Sequence, residues 1–264
     1  MYDTIILGAG ALGRAAAEAF RERGDSVRIL GRPAGGAHDP GDLAGASLVV
    51  EASRGEAVAR NLAVALEAGC RRAVIATTGW ATDRPLVDGL LREHGAAAVA
   101  ASNFSLGVAL FGRRVDGAVA LFGPLEAYDP YLVEWHRRTK TDRPSGTAGE
   151  LARRIVAAHP RKTVIGDPVR HTSPRPDELE VVAVRAGASP GMHLVGFDAP
   201  GETVELRLTA RDRSAYTAGI VAAADWLAHT ERPAGLHSFE AIVDGLLAGG
   251  PGPTVTTAAA STAA

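Results

Sequence analysis

Short unbroken apolar runs alternate with amphipathic stretches through the first hundred residues. Thr4–Leu7 is a β-branched and apolar run, as expected of a strand covered on both faces. Ala11–Arg23 follows, with Leu12, Ala16 and Phe20 at period-four spacing, which predicts a helix closed by Gly24-Asp25-Ser26. Val27–Leu30, Ser47–Val50, Ala73–Thr77 and Ala97–Ala101 read as further strands, and Glu56–Ala68 and Leu86–Glu93 as helices. Strand and helix in alternation predict a doubly wound parallel α/β sheet.

After about Asn103 the rhythm changes. An apolar helical stretch runs near Leu106–Leu121, and Tyr131–Trp135 reads as a strand. Pro144 opens a helix over Thr147–Ala158. Val181–Arg185, His193–Phe197 and Thr203–Thr209 are strand candidates separated by Gly and Pro turns, expected as an antiparallel meander. Ala218–Ala228 returns to helix. This pattern predicts a first domain over 1–104, completed by 213–248, and a smaller α+β domain over 105–212 with a mainly antiparallel sheet. Residues 249–264 are Gly, Pro, Thr, Val, Ser and Ala without charge, a composition expected of a flexible tail.

Composition narrows the classes. The 264 residues are 46% hydrophobic and 22% charged, which suits a globular chain and excludes wholesale disorder. Lys and Arg number 28 against 30 Asp and Glu. So even a balance carries no footprint for nucleic acid or an anionic membrane. No apolar run approaches a membrane span, and Met1–Leu7 lacks the basic region and long apolar core of a secretion signal. A cytoplasmic protein is expected. Cys70 is the only cysteine, so no disulfide can form within the chain and no cysteine zinc site can be built. No metal site is indicated.

The first strand runs straight into Gly8-Ala9-Gly10-Ala11-Leu12-Gly13 and then a helix. That is a G-x-G-x-x-G loop in the context that gives it meaning, and it makes the first domain Rossmann-type. The first glycine permits the turn, the second lets backbone approach a pyrophosphate, and the third lets helix and strand pack closely. Gly8, Gly10, Ala11, Leu12, Gly13 and Arg14 are therefore candidate dinucleotide contacts. NAD binders usually end the second strand with an acid for the ribose hydroxyls. Here Leu30 is followed by Gly31-Arg32. Arg32, with Arg14, could meet a 2′-phosphate with a charge-assisted fork. The pattern favours NADPH, with NADH as the rival cofactor.

A second polar constellation runs from Glu134 to Thr147. Ser145-Gly146-Thr147, opening a helix after Pro144, puts hydroxyls and N–H groups at the positive end of a helix dipole. An ordinary N-cap would use the same residues. The cations nearby favour an anion site. His136 can carry a proton near neutral pH. Lys140 lies four residues on, on the same face if the stretch is helical. The other histidines His38, His94, His159, His171, His229 and His237 read as structural or surface groups.

Glu134, His136, Lys140, Asp142, Pro144, Ser145, Gly146, Thr147 and Ala148 match an E-x-H-H-x-x-K-x-D-x-P-S-G-T-A signature. Ala76–Gly79 resembles a G-T-T-G loop, Ser102–Gly107 an A-N-F-S-x-G segment, and Arg185, Gly187, Gly191, His193 and Phe197 an R-x-G-x-x-G-x-H-x-x-F pattern. Together they resemble the 4-hydroxy-tetrahydrodipicolinate reductase family of the diaminopimelate–lysine pathway, over nearly the whole chain to about residue 245. The resemblance implies hydride transfer from a nicotinamide to a conjugated cyclic imine with two carboxylates. It implies His136 as proton donor, Lys140 as the assisting cation, and Arg137, Ser145, Gly146 and Thr147 as substrate contacts. Ala76, Thr77, Thr78, Ser102, Asn103 and Phe104 fall in segments it assigns to the cofactor. It also implies a homotetramer paired through the small domains.

Departures from the pattern bear on substrate. Arg137 replaces the second His; it can fork onto a carboxylate but cannot shuttle a proton. Met192 precedes His193 where Glu is common. Glu51-Ala52-Ser53 replaces D-F-T, and the glycine loop is one residue short. A paralogue acting on a related cyclic imine, or a non-catalytic dinucleotide-binding protein, are the alternative expectations.

Overall fold

The computed structural model describes residues 3–167, 173–229 and 232–249. His171 and the expected flexible tail beyond Gly249 lie outside the described residues. In chain order the elements are β1 (Asp3–Leu7), α1 (Ala11–Glu22), β2 (Ser26–Leu30), β3 (Leu48–Glu51), α2 (Val58–Glu67), β4 (Arg72–Ile75), α3 (Arg84–Glu93) and β5 (Ala97–Ala100). Then come α4 (Leu106–Phe122), β6 (Asp129–His136), α5 (Gly146–Ala158), β7 (Val164–Ile165), β8 (Glu178–Arg185), β9 (Met192–Ala199) and β10 (Glu202–Thr209). The chain ends with α6 (Ser214–His229), β11 (Gly235–Ser238) and α7 (Phe239–Leu247). Two compact units result: residues up to Ser105 together with those from Tyr216 on, and Leu106–Ala215.

The first unit is a six-stranded parallel sheet in the order β11-β5-β4-β3-β1-β2. Its central strands are continuous apolar runs because helices cover both faces; Ile5, Ile6, Leu7, Val49, Val50, Val74 and Ile75 are fully shielded. The chain goes from β1 to β2 on one side and to β3 on the other, so the order reverses beside β1. In open α/β sheets that reversal opens a crevice at the carboxyl ends of the strands. The strand over 235–238 and the helix over 239–247 are not legible in the sequence pattern. Four residues that begin at Gly235, just after Pro233, give too short a pattern, and β11 owes its strand state to pairing with β5.

The second unit is a five-stranded sheet in the order β10-β9-β6-β8-β7, with α4 and α5 packed on one face. Ser145 caps α5 by accepting the Ala148 N–H at 3.2 Å. Ala148, Leu151, Ala152 and Ile155 then recur on one buried face, against Leu132, Leu179, Val195 and Phe197 of the sheet. Each fully buried Leu or Ile contributes roughly 1.5–3 kcal/mol of burial. The helix stops at His159, because Pro160 cannot continue it. The expected meander is corrected here. β9 pairs antiparallel with both β6 and β10, but β8 pairs parallel with β6. The intervening α5 makes β6–α5–β8 a crossover unit, and a crossover returns a strand parallel. The other face of this sheet leaves Trp135, Val182 and Val184 each more than a third exposed.

Candidate active site

In the first unit, the loops after β1, β3, β4 and β5 all leave the carboxyl ends of neighbouring parallel strands. The glycine loop follows β1, and its backbone is packed too tightly for side chains. A Cβ on Gly13 would lie 2.0 Å from the Gly8 carbonyl oxygen. One on Gly8, at φ +117°, would lie 2.3 Å from the Ala52 oxygen in the loop after β3. Gly10 stands at the start of α1 with open space around it and no side-chain cap. The first-turn N–H groups thus lack the side-chain acceptor that usually serves them, which fits a pyrophosphate there. Ala11 is exposed and Leu12 half-buried, so both reach the loop's outer side. Arg14 folds back and donates to the Ala9 carbonyl within the loop. The Gly8 N–H bonds the Leu30 carbonyl at 2.8 Å, which brings the end of β2 alongside, with exposed Arg32 two residues further on.

The loop after β4 carries Ala76, Thr77 and Thr78. Thr78 is exposed, whereas Thr77 is buried and donates to Glu51 at 3.2 Å. Glu51 is fully buried at the end of β3 and also accepts from Ser53 and from Asn61 at 2.8 Å. Burial pushes its carboxyl pKa up, against those hydrogen bonds. It ties the loops after β3 and β4 together. In the loop after β5, Asn103 Oδ1 accepts the Ser105 N–H at 2.8 Å and Phe104 packs on Phe239, while Ser102 is exposed.

In the second unit, the polar constellation gathers at the carboxyl end of β6. Glu134 and His136 lie on one face of that strand, two residues apart, and both are buried. His136 and Lys140 do not share a helix face. The Arg137 and Arg138 N–H groups bond the Ser189 and Gly187 carbonyls, and the Lys140 N–H closes a turn onto Arg137. The turn keeps Lys140 close enough for its charge to act on His136. Lys140 Nζ pairs with Asp142 at 2.7 Å, which helps hold that carboxyl below its usual range against desolvation. Arg137 is exposed.

Glu134 organises what lies beneath. Its Oε1 accepts the Ser145 N–H and the Arg185 guanidinium, both at 2.8 Å. Its Oε2 sits 2.9 Å from His136 Nδ1, off the line of an ideal hydrogen bond, and 3.9 Å from His193 Nε2. Desolvation opposes the Glu134 charge, but the bonds from Ser145 and Arg185 outweigh it and leave its pKa lowered. Burial lowers the His136 pKa, and Glu134 works against that fall. His193, more deeply buried and beside His136, is pushed down to about 4 and is neutral near pH 7. Its Nε2 lies 3.3 Å from the Ser145 hydroxyl. The Ser145 N–H and hydroxyl are thus occupied within the fold. Gly146 is exposed and Thr147 half-buried at the first turn of α5.

Among the described residues, Glu134, His136 and His193 are the one trio of potential metal ligands within 4.8 Å of one another. Arg185 already places a positive charge on the same carboxylate, so the arrangement suits proton handling rather than a cation. In the sequence, Arg185 and His193 stand out only as parts of the R-x-G-x-x-G-x-H-x-x-F pattern. The period-two spacing of an acid and a histidine on a strand was the signal that could have raised Glu134.

A sequence model described as dihydrodipicolinate reductase, C-terminus, matches residues 107–243. A 4-hydroxy-tetrahydrodipicolinate reductase of Archaeoglobus fulgidus is 35% identical over 192 residues, covering 71% of this chain and 72% of that one. The chain belongs to this reductase family. A second member, from Halorhodospira halophila, is 34% identical over 209 residues, covering 77% and 76% of the two chains. A dipicolinate-bound dihydrodipicolinate reductase from Paenisporosarcina sp. TG-14 shares the fold at TM-score 0.70 and 19% identity, covering 90% of this chain and 97% of that one. The protein is accordingly an oxidoreductase. No described helix is long and apolar enough to cross a membrane.

Proposed function

We propose that this reductase uses NADPH to reduce a cyclic imine dicarboxylate, 4-hydroxy-tetrahydrodipicolinate, yielding tetrahydrodipicolinate in diaminopimelate and lysine biosynthesis. The observation that carries the reading is the β6 terminus, where one proton-carrying imidazole, one ammonium and an N-terminal helix turn gather within the unit matched by the family model. The dinucleotide, when bound to Gly8, Gly10, Ala11, Leu12, Gly13 and the loops carrying Ala76, Thr77, Thr78, Ser102, Asn103 and Phe104, supplies the hydride. Loss of the 4-hydroxyl group as water gives the conjugated imine that accepts the hydride, and His136 delivers a proton to the centre that gains electron density, so hydride, proton and released water balance the reaction. Lys140 attracts the substrate's negative charge. Gly146 and Thr147 offer N–H groups of the α5 first turn to a carboxylate, while Ser145 acts by building that turn.

The test is loss of nicotinamide absorbance with the substrate generated in situ by its synthase. Turnover establishes the reading. No turnover with NADPH binding intact refutes the substrate and moves it to another cyclic imine, a second reading motivated by exposed Arg137 in place of a histidine. A panel of cyclic imines separates the two.

Arg32→Ala is expected to raise KM for NADPH by about tenfold while leaving NADH nearly unchanged, the scale of one charge-assisted bond. The motive is its exposed position past the end of β2, with no acid there for the ribose. Equal effects on both cofactors would show that Arg32 does not read the phosphate. The apolar open face of the small sheet, with Trp135, Val182 and Val184, supports a homotetramer paired through that face. Sedimentation velocity checks it: a monomer at micromolar concentration excludes the assembly.

A further inference from the structure

We propose that Glu134 is a positioning residue for the reduction, holding the His136 ring with Nδ1–H turned inward so that Nε2 is the nitrogen that exchanges the proton with substrate. The inference deepens the reading of His136 as proton donor and rests on it.

Four observations carry it. Glu134 is completely buried, yet it is a carboxylate, and its Oε2 has no well-aligned donor. That oxygen faces His136 Nδ1 at 2.9 Å. Two lone pairs would repel at that distance, so the nitrogen carries a hydrogen and the contact is N–H toward oxygen. The second oxygen is fixed by Ser145 and Arg185, so the carboxylate cannot swing away from the ring. Across the ring, Gly191 leaves room for Nε2, because a Cβ there would come within 2.9 Å of that atom.

The chemistry follows from this clamp. Protonated His136 carries hydrogens on both nitrogens. When Nε2 gives its proton to substrate, the neutral ring left behind is the Nδ1–H tautomer, the one Glu134 stabilises. Nothing has to rotate between turnovers. The charged and titratable groups facing the ring are Glu134 on β6, Lys140 and Asp142 in the turn after it, Arg185 on β8 and His193 on β9. Glu134 and Asp142 favour the imidazolium; Lys140 and Arg185 oppose it. Buried His193 stays neutral near pH 7.

The test begins with the wild-type protein. Ring 15N signals of His136, read above its pKa, are expected to show the Nδ1–H tautomer; an Nε2–H ring overturns the inference whether or not any variant folds. Glu134→Gln is the matched substitution, since Gln keeps size and an acceptor for the Ser145 N–H. It is expected to lower kcat by about 10–100-fold, the scale of losing an orienting partner. It should also move the fall of kcat with rising pH to lower pH, because a charge that favoured the imidazolium is gone. Glu134→Asp keeps the charge and should keep that inflection near its wild-type position. A folded Glu134→Gln enzyme with an unchanged inflection and tautomer refutes the role of Glu134. A His136→Gln enzyme that retains the wild-type inflection instead refutes His136 as the donor, a separable result.

Discussion

His136→Gln lowers kcat by about 100-fold or more, the scale of losing a general acid. The expectation comes from the surroundings of the ring. His136 is buried, faces one carboxylate, and lies within the field of Lys140 and Arg185. Burial is the largest influence on it and lowers its pKa below the usual imidazole value of 6.5. A donor must be protonated, so kcat/KM should fall as pH rises through that lowered pKa. A bound dicarboxylate brings negative charge, which favours the imidazolium. The inflection in kcat should therefore lie at higher pH than the one in kcat/KM. His136→Gln should flatten both profiles as well as lower them. The measurement is a steady-state pH series on both proteins with saturating cofactor. Turnover near the wild-type level in the variant would remove His136 from the chemistry.

Much of this was legible in the sequence, for reasons that differ between the two units. The first unit repeats one pattern, apolar run then amphipathic stretch, and each run is buried on both faces, so periodicity and structure coincide. Gly8 and Gly13 were readable because a Cβ at either position would lie 2.0–2.3 Å from a backbone oxygen, so only glycine fits there. β11 was hidden because its four residues become a strand through β5 rather than through their own pattern. In the second unit, the spacing of His136 and Lys140 suggested a helix face. The turn wins because the Arg137 and Arg138 N–H groups find carbonyls at Ser189 and Gly187, about fifty residues away. The same distance in sequence hid the partners of Glu134. Arg185 and His193 come from β8 and β9, and only sheet pairing with β6 brings them beside it. Ser145 illustrates the remaining ambiguity. Its sequence context fits both a cap and an anion contact, and the fold spends its N–H on Glu134 and its hydroxyl on Ala148 and His193.

Lys140→Met lowers kcat/KM by about 100-fold or more, the loss expected when an ammonium no longer meets a carboxylate or a developing charge. Lys140 Nζ rests on Asp142, 2.7 and 2.9 Å from its two oxygens, with about a quarter of the lysine side chain exposed. An arriving substrate carboxylate competes with Asp142 for that ammonium, and the pair is exposed enough for the exchange to cost little. Lys140→Arg should recover part of the activity, since it keeps the charge but spreads it over a planar fork. The pH profile adds a sign that separates this role from that of Glu134. Lys140 lowers the His136 pKa, so its removal should move the inflection in kcat/KM to higher pH. Loss of Glu134 should move the inflection the opposite way. A Lys140→Met enzyme with its inflection in place would show that Lys140 does not act on His136. If its kcat/KM were also near wild type, Lys140 would not be part of the site, and the exposed guanidinium of Arg137 would become the cation to test next.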